Sequence, residues 1–152
     1  MKKQPRPFSR EETAKFNLLA AKEWRLISVE AESLKSNAKD PFIIERLNRS
    51  IKFAKENLSR CYLLYVDEIE KIRLSAAARN KVQESLRALC HMAGTDAKPA
   101  EMAEAVIRAI DDVIDALKKA DTEHEKRVLG KAAAELDSIA KEYIGQISKE
   151  KN

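Results

Sequence analysis

The chain has 152 residues, 36% charged and 44% apolar, enough for one domain with a real core. It holds 22 Ala, 14 Leu and 18 Lys against three Gly and four Pro, which favours helices and excludes β-sandwich, collagen-like, disulfide-rich and mainly disordered chains. The formal net charge of +4 is carried by Lys2, Lys3, Arg6 and Arg10, so an isoelectric point near 9.0 describes a basic tail on a neutral body.

Residues 1–8 read as a flexible basic tail, and 9–152 as a single helical-bundle domain. The first eight residues are basic with no apolar segment behind them, so they do not read as a secretory signal. Ser9 and Glu12 form a capping-box pattern ahead of a helix over about 10–36. Phe16, Ala20, Trp24, Ile27, Ala31 and Leu34 recur there at three- and four-residue steps and predict its buried stripe.

Asp40-Pro41 starts a second helix, with a capping side chain followed by proline at the first helical position. Ile44, Leu47, Ile51, Ala54, Leu58, Cys61, Tyr65, Ile69 and Ile72 keep the same rhythm over 41–73. At 1.5 Å per residue that rod is roughly 50 Å long. Ser75 is placed to cap a third helix, striped by Val82, Leu86, Leu89 and Ala93 and ended by Gly94. A fourth, over about 99–120, buries Met102 or Ala103, then Val106, Ile110, Val113 and Leu117.

Thr122 and Glu125 make a second capping-box pattern before a fifth helix over about 123–148, which buries Leu129, Ala132, Leu136, Ile139, Tyr143 and Ile147. Helices four and five read equally as two elements or one rod. The fold class is all-α, an antiparallel bundle of four to five helices with long helices 1 and 2. No run of about 18 apolar residues is present, so no membrane span is expected.

Catalytic chemistry finds little support. His91 and His124 are the only histidines, and neither belongs to the Glu-x-x-His pattern of a di-iron bundle, so no metal or other cofactor is expected. Cys61 and Cys90 fall within apolar helical patterns, the setting of reduced structural thiols in a cytoplasmic protein. Arg87 and His91 share a helical face, a minor nuclease reading with no second signal beside it. Gly94, Gly130 and Gly145 are too scattered for a phosphate loop. The chain does not read as an enzyme. Glu101, Glu104, Asp111 and Asp115 form an acidic row on the fourth helix, either a solvated face or a dock for a basic partner.

The second helix carries the most informative pattern. More than 90° from its core stripe lie Phe42, Arg46, Arg49, Phe53, Arg60 and Leu64. One reading makes this helix central and covers both sides of it. The other makes the row a protein-binding groove, because aromatics with arginine are the composition of interface hot spots. An alternative nucleic-acid interface would combine Lys2, Lys3 and Arg6 with Arg46, Arg49 and Arg60, diluted by Glu45 and Glu56. The expected partner is a protein, with self-association as one form of it and nucleic acid as second choice.

Four segments follow one another in an order that resembles the FlaF family of flagellin-synthesis regulators and chaperones. They are Ser9-Arg-Glu-Glu-Thr-Ala14 with Leu18-Leu-Ala-Ala21, Asn57-Leu-Ser-Arg-Cys-Tyr62, Leu74-Ser-Ala-Ala-Ala-Arg79 and Ala105-Val-Ile-Arg-Ala-Ile-Asp111. Tyr62 stands where that family has Trp, Ala116-Leu117 where it has Gly-Leu, and the fifth helix lies outside the resemblance. What the resemblance implies is a small, all-helical, non-enzymatic protein that binds flagellin or its messenger, with no catalytic residue to transfer. The sequence thus leads to a non-enzymatic helical adaptor or chaperone-like protein that binds through its second helix.

Overall fold

In the computed structural model, which describes residues 9–71 and 74–151, the chain forms five helices: α1 (Arg10–Asn37), α2 (Pro41–Lys71), α3 (Ala76–Ala93), α4 (Pro99–Lys118) and α5 (Glu123–Lys151). Each start has a local cause. Ser9 Oγ accepts the Glu12 N–H at 3.1 Å while the Glu12 carboxylate accepts the Ser9 N–H at 3.3 Å. Asp40 Oδ1 accepts the Phe42 N–H at 2.8 Å, with Pro41 supplying a fixed φ and no donor to satisfy. Ser75 and Thr122 accept the N–H groups of Ala78 and Glu125 at 3.4 and 3.1 Å. The break at 119–122 makes α4 and α5 two elements. The predicted basic tail, 1–8, lies outside the described residues, as does Ile72.

Helices adjacent in sequence run antiparallel, and α5 returns parallel to α1. Arg127 of α5 reaches Glu11 at 2.9 Å, while Arg25, further along α1, reaches Glu142 at 3.4 Å. The core is shared by all five helices, with Tyr65, Val66, Val82, Leu86, Val106, Val113, Leu129 and Leu136 almost wholly enclosed. Burying each of these aliphatic side chains contributes roughly 1.5–3 kcal/mol, more than the caps. The expected stripe of α2 is buried from Ile51 to Ile69, joined by Val66 and by Tyr62, whose hydroxyl meets that of Tyr143 on α5 at 3.2 Å.

The expected stripe of α1 is corrected in part: Ala31 is buried and Ala20 and Trp24 are half-buried against the core. Phe16, Ile27 and Leu34 are exposed, and the buried residues are Ala14, Ala21, Arg25, Ser28 and Ala31. Small side chains let α1 approach α2 closely, and this close approach turns the larger side chains outward. The Arg25 guanidinium packs over the Tyr143 ring, 5.5 Å from its centroid, and donates to Gln146 Oε1 at 3.4 Å. No helix among the described residues is long and apolar enough to cross a membrane.

Candidate protein-binding face

The α1–α2 hairpin presents one flank to the rest of the bundle and the opposite flank to solvent. Core-facing positions of α2 (Ala54, Leu58, Tyr65) and its second row are separated by well over 90° at 100° per residue. The structure leaves that row uncovered. Phe42 is 67% exposed, Phe53 59% and Leu64 44%, and Arg46, Arg49 and Arg60 are exposed beside them. Helix α2 does pack against α1, α3 and α5, so it is central, yet these neighbours leave the row mostly on solvent, with Trp24 of α1 touching it edge-on at Phe53.

The row continues onto α1 through an edge-on ring contact, Trp24 to Phe53, with centroids 5.6 Å apart. Phe16, Ile27 and Leu34 lie on the same outward side of α1 as Trp24, about 60–80° further round. The outer face of the hairpin is therefore apolar across both helices. Sequence periodicity assigned these three residues to the core. The line of Ala14, Ala21 and Ser28 at seven-residue spacing was the available sign that α1 buries small residues instead.

Charges frame this face. Arg46 lies over the Phe42 ring at 5.9 Å, and Arg49 is held by Glu45 at 2.8 Å, one turn before it. Arg60 extends the basic side of α2, which also carries Glu45 and Glu56. On α1 the outward crest bears Glu23 and Glu30, and Arg25 between them in sequence is turned into the bundle. Of the alternative nucleic-acid residues, Arg46, Arg49 and Arg60 share this face. Lys2, Lys3 and Arg6 lie outside the described residues.

The remaining candidates are occupied within the fold. Arg87 donates through Nε and Nη2 to the Glu70 carboxylate, each at 3.2 Å, and is not poised beside His91. Burial pushes the Cys90 thiol up to about 12, and burial likewise raises Cys61. Both stay as thiols at neutral pH, far from activated nucleophiles. In the acidic row, Asp115 pairs with Lys81 of α3 at 2.7 Å, which holds its carboxyl below the usual range, and the neighbouring Asp112 accepts from Ser85. Glu101, Glu104 and Asp111 stay exposed, so the row meets α3 at its Asp115 end. Among the described residues no group of three or more His, Cys, Asp or Glu is placed to hold a metal ion.

A small cleft of about 50 Å³ opens between α1, α2, the α3–α4 loop and α5, lined by Arg25, Ser28, Lys55, Met102 and Tyr143. Its cations are matched by acids: Arg25 by Glu142, and Lys55 by Glu32 and Asp96 at 3.3 and 3.5 Å. No family model, curated protein or solved structure matches this chain.

Proposed function

We propose that the protein is a non-enzymatic helical adaptor or chaperone-like protein, working in the cytoplasm, that binds another protein through the outer face of the α1–α2 hairpin. The observation that carries this reading is the uncovered row Phe42, Phe53 and Leu64, interleaved with Arg46, Arg49 and Arg60. Large apolar side chains grouped on solvent are a liability in a free monomer and the normal substance of an interface. Arginine beside them adds planar, bidentate donors for carboxylates of a partner. The resemblance to the FlaF family makes flagellin the first client to try.

The test is affinity capture from the native cell extract, comparing the wild-type chain with the double variant Arg49→Glu, Phe53→Asp and identifying bound proteins and nucleic acids. A protein retained by the wild type and lost by the variant, with an unchanged helical circular-dichroism signal, supports the reading. Unfolding of the variant would make this face part of the core and overturn it. So would recovery of nucleic acid alone, released by salt and by deletion of residues 1–8.

A further inference from the structure

We propose that a second copy of this chain covers the outer face of the α1–α2 hairpin, related by a two-fold axis parallel to the helices, so that α1 of each copy lies on α2 of the other. The inference rests on the reading of that face as a docking surface and names its occupant. Three observations carry it.

The first is the composition of α1. Its buried residues are three alanines, Arg25 and Ser28, while Phe16, Ile27 and Leu34 are exposed on its outer side. A 28-residue helix whose fully buried apolar residues are all alanine leaves Phe16, Ile27 and Leu34 on the outside. The second is size. Two helices about 42 Å long and together about 20 Å wide offer a footprint of about 800 Å² per copy, that of a standard stable interface.

The third is charge and register. The contacts Arg10–Glu68 and Trp24–Phe53 fix the heights of α1 and α2 relative to each other. By that register Glu30 of α1 is level with Arg49 of α2. A two-fold parallel to the helices keeps those heights and exchanges the helices, which sets Glu30 of one copy against Arg49 of the other, twice. It also places Phe16 near Leu64, Ile27 near Phe53 and Leu34 near Phe42 across the interface. The α1 crest carries Glu23 and Glu30 unopposed, and the α2 side carries Arg46, Arg49 and Arg60 against Glu45 and Glu56, so the two helices present opposite net sign. A two-fold across the helices would instead lay α2 on α2 and bring Arg46 against Arg60, a like-charge contact that association avoids.

The experiment is sedimentation velocity on the full chain over a range of concentrations. The expected result is a reversible doubling of the 17.2 kDa mass. Glu30→Arg and Arg49→Glu should each weaken self-association by about ten-fold or more while leaving the circular-dichroism signal unchanged. Mixing the two variants should restore a dimer, because each contact then again joins opposite charges. Arg46→Glu, the other exposed arginine near the height of Glu30, serves if Arg49→Glu fails to fold. A chain that stays monomeric at every concentration overturns the inference, and the docking face stands only if the Phe53 variant still loses a different captured protein. A dimer indifferent to both single variants, or a mixture that stays monomeric, overturns the geometry.

Discussion

The Glu125 carboxylate accepts from both the backbone N–H and the hydroxyl of Ser75, at 3.3 and 3.0 Å, and so ties the start of α5 to the start of α3. Glu125 is only 5% exposed, and its acceptor lies at two helix N-termini, where the aligned peptide dipoles favour an anion. Glu125→Ala should lower stability by about 1–3 kcal/mol, since it strands the Ser75 donors in a partly buried seam. Urea melts of Glu125→Ala, Ser75→Ala and the double variant give the coupling directly. Additive losses would mean that the two groups do not act together.

Core burial and surface exposure make opposite predictions at Phe53. Enclosed by its own helices, that ring would cost about 3–5 kcal/mol on truncation. At 59% exposure, with one edge-on contact to Trp24, Phe53→Ala should cost less than about 1 kcal/mol at protein concentrations low enough to keep the chain monomeric. Leu129→Ala, a fully buried reference, should cost about 2–5 kcal/mol in the same melts. Comparable losses at the two positions would remove the outward placement of Phe53.

The two hairpin helices differ in how far their sequences reveal them. On α2 the core line and the second row both consist of large side chains, so their angular separation could be read directly, and the structure leaves the second row on solvent. On α1 two lines compete at helical spacing: Phe16, Ile27 and Leu34 against Ala14, Ala21 and Ser28. Hydrophobicity favours the first, and packing chose the second because small residues permit close helix approach. The partner of Glu125 was equally hidden. Its spacing from Thr122 points to a local capping box, whereas the carboxylate serves Ser75, 50 residues away in sequence. Local spacing specifies a cap but carries no information about which helix start will lie beside it in the bundle.

A half-buried acid should make stability depend on pH through Glu135. Burial raises its pKa above the ordinary carboxylate range, with Glu11 adding to the shift and Lys131, Lys15 and the Tyr65 hydroxyl opposing it. Tyr65 Oη and Glu135 Oε2 are both buried and stand outside hydrogen-bond geometry, yet close enough for the carboxylate to reinforce the upward shift that burial imposes on the phenol. A folded-state pKa above the unfolded one means that the folded protein binds the proton more tightly. The destabilisation from this group is therefore full above the raised value and disappears as pH falls through it to the ordinary glutamate range. Glu135→Gln should raise Tm by about 2 °C at neutral pH, with the gain vanishing on acidification. A gain independent of pH would assign the effect to packing.

The thiols give a probe of opening. With Cys90 pushed up to about 12 by burial, its thiolate fraction at mildly alkaline pH is roughly a thousandth of that of an ordinary exposed cysteine. Cys61 is shifted in the same direction, also chiefly by burial. Both are free and buried, so a thiol reagent should label neither quickly in the native protein and both rapidly in denaturant. Glu125→Ala, by loosening the joint between α3 and α5, should accelerate labelling of Cys90 on α3 more than of Cys61 on α2. Equal acceleration at the two cysteines would mean that labelling reports global unfolding, whereas a selective rise at Cys90 would locate the weakened joint at the start of α3.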